Sequence, residues 1–146
     1  MSGFQTNLAV GVAELLAGAS VATWRPTGAY LAGEVGIFLK KIPQEPDGAV
    51  SLTLYPVSDD PSLPDSVLGL QVLTRAAGAD PRPVDDLADA IFDVLHGRHD
   101  FDLPTGVRVV QALHQGGGTL GQDDLNRWGR SDNYYLTVCR PSLNRG

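Results

Sequence analysis

The run His96-Gly97-Arg98-His99-Asp100 places two imidazoles and a carboxylate within five residues. Those groups bind zinc, and a zinc-bound water would make the chain a small metal-dependent hydrolase. The spacing does not favour that chemistry. His96 and His99 are not the H-x-x-x-H pair of a helical zinc site, and no third ligand is assigned. The run also begins where a predicted helix ends, and cationic side chains and glycine serve there as caps. Asp86, Asp89 and Asp93 lie on adjoining turns of that helix and could together hold a hard cation. A solvated helix face accounts for the same pattern. "DDPSLPD" at 59–65 lacks the Asp-x-Asp-x-Asp-Gly order of a calcium loop. "GGG" at 116–118 lacks the Gly-Lys-Ser/Thr ending of a phosphate loop. No serine sits in Gly-x-Ser-x-Gly. Cys139, the only cysteine, cannot form an internal disulfide and reads as a small buried strand residue. His114 reads as a lone histidine at the surface or edge of a strand, and Trp24 and Trp128 as packing or interface anchors. These residues form no hydrolase, transferase or redox constellation, so the expectation is a non-enzymatic protein with no cofactor and no metal.

The elements that position these residues come from periodicity. Phe4, Leu8, Val12, Leu15 and Leu16 form one stripe of a helix over 3–18, with Ser2 and Gln5 as a capping box and Gly18 as a stop. Val21–Trp24 and Gly36–Lys40 are short strand candidates. Pro43 and Pro46 define a loop over 43–48, with a turn at Asp47-Gly48. Val50, Leu52 and Leu54 then alternate with Ser51, Thr53 and Tyr55 in a half-buried strand that ends at Pro56. A proline-rich loop over 57–66 leads to a strand over 67–75, with Leu68, Leu70 and Val72 inward, antiparallel to the one before. The helix over 81–96 carries Val84, Leu87, Ala88, Ile91 and Leu95 on its apolar side, with Asp80 as N-cap and Gly97 as stop. A strand over 107–114 follows. The segment 115–131 reads as a flexible connection with a helical turn near 123–128. Tyr134–Arg140 closes the sheet. The loops 43–49, 57–66, 97–106 and 115–131 are long for so small a domain and suggest binding surfaces. The order predicts an α+β fold: a small, mostly antiparallel sheet with two main helices packed on one face.

Composition bounds the class. The 146 residues, 42% of them hydrophobic, suffice for one domain over 1–146 with a single core. No apolar run approaches the ~20 residues of a membrane span, and the N-terminus lacks the pattern of a signal peptide. The net charge of −6, with Lys and Arg scattered, disfavours general nucleic-acid coating and is compatible with a channel along which DNA slides.

Four stretches carry a family resemblance: "VAELLAG"; "LKKIPQEPDGAVSLTLYP"; a Leu-Gly-Leu-Gln-Val-Leu-Thr-Arg strand before "DDLADAIFDVLHG"; and "GRSDNYYLTVCR". In these the chain resembles the tail-terminator family of long-tailed bacteriophages, whose members are often labelled minor capsid or tail-completion proteins. The resemblance implies a structural virion protein at the head–tail junction, assembled in the host cytoplasm. It implies a homohexameric ring that caps the tail tube, ends tail polymerisation and joins the head connector, with DNA passing through the hole. The implied partners are other copies of the chain, the tail tube protein and the connector protein, with no membrane. The candidate assembly interface is Ile42, Pro43, Glu45 and Asp47 of the first loop with Leu120, Asp124, Trp128 and Arg130 of the last. Another head-completion or neck adaptor, the metal-dependent hydrolase and an unrelated soluble binding module are the alternatives.

Overall fold

A computed structural model describes residues 3–145. Its elements are α1 (Phe4–Gly18), β1 (Gly36–Leu39), β2 (Ala49–Ser58), β3 (Asp65–Arg75), α2 (Arg82–Leu95), β4 (His99–Asp102), β5 (Arg108–Gln122) and β6 (Trp128–Cys139). The strands form one six-stranded sheet in the order β1-β2-β3-β6-β5-β4. The α+β class holds, but the sheet is mixed rather than mostly antiparallel. β1 runs parallel to β2, and the pairs β2–β3, β3–β6, β5–β6 and β4–β5 are antiparallel. The parallel pair arises because the 40–48 loop returns the chain to the start of β2 instead of reversing it as a hairpin.

The core follows from the alternation. Val50 and Leu52, then Leu68, Leu70 and Val72, then Tyr134, Leu136 and Val138 are buried at every second position. Leu8, Val12 and Leu16 of α1 and Ile91 and Leu95 of α2 belong to the same hydrophobic cluster. Each such side chain contributes on the order of 1.5–3 kcal/mol by leaving water. On the reverse of the sheet Tyr55 lies flat over Gly69, where an added Cβ would fall 2.0 Å from the tyrosine Cζ. Its hydroxyl donates to Asn133 Oδ1 at 3.1 Å.

Several boundaries differ from expectation. The capping residue Ser2 lies outside the described residues. Gly18 is the last residue of α1 rather than its stop, and the left-handed position is Ser20, at φ 63°. Val21–Trp24 contributes only a bridge from Thr23 to Gly36. β2 does not end at Pro56 but continues to Ser58 through a register shift, which shortens the following loop to 59–64. The N-cap of α2 is Pro81 rather than Asp80 and carries no side-chain cap; Asp80, one residue earlier, accepts the Arg82 N–H at 3.0 Å, and Gly97 turns the chain at φ 80°. The 97–106 loop contains β4.

The largest correction is 115–131. It is the far half of a β5–β6 hairpin, with a turn over 123–127 and no helix. Glycine lowers intrinsic strand propensity, so Gly116, Gly117, Gly118 and Gly121 disguise the strand. Pairing with β6 overrides them. At Gly117 the glycine is needed, since a Cβ would lie 2.2 Å from Asp132 Oδ1 and 2.5 Å from the Ser131 carbonyl. Register shifts at His114/Gly116 and Thr119/Gly121 bulge the strand.

β4 pairs with β5 only as far as Gln111. Arg98 and Gly97 bond Ala112, and His96 Nδ1 accepts the His114 N–H at 3.0 Å. Beyond His114 no strand pairs with the outer edge of β5 among the described residues.

Candidate functional site

One end of the sheet gathers three connections: the proline loop before β2, the segment between β3 and α2, and the β5–β6 turn. Two arginines fasten them. Arg75, the last residue of β3, has only 7% of its surface exposed. It donates from Nε to the Asp47 carbonyl at 2.8 Å, and from Nη2 to the carbonyls of Pro43 at 2.7 Å and Pro46 at 2.8 Å. The loop, in which the Glu45–Pro46 peptide is cis, thus turns its carbonyls inward around one guanidinium. Arg127, 3% exposed, comes from the hairpin turn. It donates to the Gln44 carbonyl at 2.7 Å and to Asp47 Oδ1 at 2.9 Å, and it pairs with Asp123 Oδ2 at 2.7 Å.

The electrostatics match this geometry. Burial lowers the Arg75 pKa and the neighbouring Arg127 lowers it further, while Asp123 and Asp47 oppose them. The side-chain hydrogen bond from Arg127, with backbone hydrogen bonds from Arg127 and Leu125, takes the Asp123 carboxyl down to about 2. Asp123 therefore stays ionised through ordinary pH and closes the turn by accepting the N–H groups of Leu125 and Arg127. Trp128 docks on the third connection, its indole N–H donating to the Ala79 carbonyl at 2.8 Å.

Ile42, Pro43, Glu45 and Asp47 lie together on the braced loop, as expected from their spacing. Pro43, Glu45 and Asp47 line a groove of about 630 Å³ with Tyr30, Phe38 and Lys41. Ile42 and Leu120 line a second groove of about 200 Å³ with Leu73, Asp123 and Arg127. Asp124 is exposed in the turn. Arg130 does not join this group. It turns toward α2, pairing with Asp132 Oδ2 at 2.8 Å and Asp85 Oδ1 at 3.2 Å. Sequence reading missed Arg75 and Arg127. An arginine closing the otherwise uncharged run 67–75, and Asp123 four residues before Arg127 with the turn-former Asn126 between them, were the available signals.

His114 is at the strand edge, as expected, but half-buried. Its Nε2 lies 2.9 Å from Asp132 Oδ1, and its ring meets Phe92 and Tyr134 edge-on. Burial pushes the Asp132 pKa up, but hydrogen bonds from Arg130 and His114 outweigh it and the net shift is downward. The residues of the 96–100 run do not converge. His96 serves His114 and stacks on Phe92, while His99 Nδ1 lies 3.1 Å from the Gly97 carbonyl. Among the described residues no group of three or more His, Cys, Asp or Glu is arranged to hold a metal ion. No described helix is long and apolar enough to cross a membrane.

Comparison with known proteins agrees with this architecture. A family model described as bacteriophage tail terminator protein matches residues 15–139. Among solved structures, a chain from the virion of a native gene transfer agent particle superimposes with a TM-score of 0.64 at 16% identity. The match covers 90% of this chain and 93% of that one, and it shows a shared fold. No curated protein sequence matches.

Proposed function

The chain belongs to the bacteriophage tail terminator family, a tail structural protein, and from that membership we propose that it ends the tail as a ring. In this reading copies close into a homohexamer on the last ring of the tail tube and stop polymerisation. The opposite side meets the head connector, in the manner of a minor capsid or tail-completion protein. The protein acts in the virion at the head–tail joint after assembly in the host cytoplasm. It performs no catalysis, and its negative charge lets DNA pass through the lumen without adhering. The hydrophobic cluster shared by α1 and α2 supports a layer of both helices on one side of the sheet, leaving the other side and the loop end for contacts.

The observation that carries the reading is the braced end. Arg75 and Arg127 hold the proline loop and the hairpin turn in one conformation, with Pro43, Glu45, Asp47 and Asp124 presented outward. A surface ordered before contact spends less binding free energy on ordering its loops. Ile42, Leu120 and Trp128 are the apolar anchors of that surface, and Arg130 supports it from the α2 side through Asp85 and Asp132.

The test is light scattering over concentration and salt, with negative-stain imaging, with and without purified tail tubes. Rings that cap tubes and fix their length are expected. A chain that stays monomeric and leaves tube length unchanged refutes the reading. Rings that bind only the connector would mark a neck adaptor instead.

A further inference from the structure

We infer that neighbouring copies meet head to tail through opposite margins of the sheet. The margin formed by the open edge of β5 and the Asp86/Asp89/Asp93 side of α2 contacts the Lys40–Lys41 margin of the next copy. This rests on the ring reading above and adds which flanks meet.

Charge is the first argument. The chain has only two lysines, Lys40 and Lys41, adjacent and exposed where β1 ends. The Lys40 N–H donates to the Leu52 carbonyl at 2.9 Å, which fixes the pair against the sheet. On the other margin Asp85, Phe92 and His96 face the β5–β6 hairpin: Asp85 bonds Arg130, Phe92 meets His114, and His96 accepts the His114 N–H. Asp89 falls on that same stripe of α2, with Asp86 and Asp93 one turn to either side, all exposed. Among the described residues no salt bridge engages Lys40, Lys41, Asp86, Asp89 or Asp93, although Asp86 acts at longer range on Arg82. The other acids of the lysine margin are Glu45 and Asp47, and Asp47 is already bonded to Arg127.

Position is the second argument. The strand order puts β1 at one end and β5 with the short β4 at the other, roughly 20–25 Å apart at ~4.8 Å per strand. One copy therefore presents both margins at once. A two-fold contact through either margin alone would set aspartates against aspartates or lysines against lysines, whereas a head-to-tail contact pairs opposite charges. Head-to-tail contacts are also what close a ring.

The β5 edge is the third argument. Natural sheets protect open edges with charge, proline or cover. Gln115–Gln122 carries no charge and no proline. The lysine margin offers the Tyr30–Phe38–Pro43 groove to receive it.

Two charge-reversed chains test the inference: Lys40→Glu/Lys41→Glu and Asp89→Lys/Asp93→Lys. Each alone should assemble on the order of tenfold more weakly or worse, by sedimentation with and without tail tubes. Thermal melts should match the parent chain, since every altered side chain is exposed. An equimolar mixture should recover rings in which the two variants alternate, because each reversed margin then meets its complement. Recovery also shows that neither variant is misfolded. Reversals that leave assembly unchanged, or a loss that mixing does not restore, overturn the inference while the ring reading stands. A parent chain that forms no ring under either condition overturns both.

Discussion

Replacing Arg75 with methionine tests whether the proline loop is held by a buried cation. Methionine keeps the length and apolar stem of the side chain and removes all the donors. Three short hydrogen bonds disappear, to the carbonyls of Asp47, Pro43 and Pro46 at 2.7–2.8 Å. At about 1 kcal/mol net apiece the loss is ~3 kcal/mol. Two effects pull on that figure. The orphaned carbonyls recover part of it, because Asp47 is exposed and Pro43 half-buried, so water can reach them, although Pro46 is buried. Relief of the repulsion between Arg75 and Arg127 recovers a little more. The net expectation is ~2–3 kcal/mol, or roughly 5–10 °C in melting midpoint for a chain of this size. Arg82→Met is the control, because its side chain is 85% exposed in the pair with Asp80 and such pairs contribute little. Thermal unfolding gives the stability, and amide exchange locates the change. Arg75→Met should speed exchange in the 40–48 loop and in the 123–127 turn, which share Arg127, while α2 keeps its protection. If Arg75→Met costs no more than Arg82→Met and loop exchange is unaltered, the loop is not held by this guanidinium and the braced end falls with it.

Other perturbations separate the remaining contacts. Ile91→Ala, at a position 1% exposed, should cost ~2–5 kcal/mol by equilibrium denaturation, while exposed Asp89→Ala should change little; equal effects would mean the face of α2 is misplaced. Gly69→Ala drives a methyl into the Tyr55 ring and should destabilise by ~1–3 kcal/mol, a loss that Tyr55→Ala in the same chain should partly relieve in the same melts. Asp123 has a folded pKa of about 2 against an ordinary 3.8, so its contribution is present above ~4 and is lost as pH falls toward 2. Amide exchange or proton titration by NMR should show the 123–127 turn loosening in that window, and Asp123→Asn should abolish the dependence.

Features that depend on local periodicity and on large side chains are legible along the chain. Val84, Ala88, Ile91 and Leu95 of the α2 stripe are buried and Leu87 partly so. Val50 and Leu52 of β2 and the inward positions of β3 and of the second half of β6 are buried, whereas Leu54 is only partly buried and Ser51, expected on the other face, is buried. Such patterns are legible because burial on one face of a helix or strand repeats at fixed intervals. The stretches that resemble the tail-terminator family lie on α1, the loop before β2, β2, β3, α2 and β6, and the family match over 15–139 bears out the family itself. The grouping of Pro43, Glu45 and Asp47 was legible too, because adjacent residues on a proline-bounded loop cannot be far apart.

Features that depend on pairing between distant segments leave no such local trace. The Gly116–Gly118 run has little strand preference of its own, and it becomes strand because β6 lies beside it. The parallel β1–β2 pair depends on the path of the 40–48 loop, which no periodicity records. Arg130 sits two residues from Trp128 in sequence but serves Asp85 and Asp132, and His114 is drawn inward by Asp132 across the ladder. Arg75 and Arg127 look in sequence like ordinary solvated cations. They are buried because carbonyls 28 to 32 residues before Arg75, and acceptors 80 and 83 residues before Arg127, converge on them. A guanidinium goes inside only where enough acceptors are waiting, and that condition is met in three dimensions rather than along the chain.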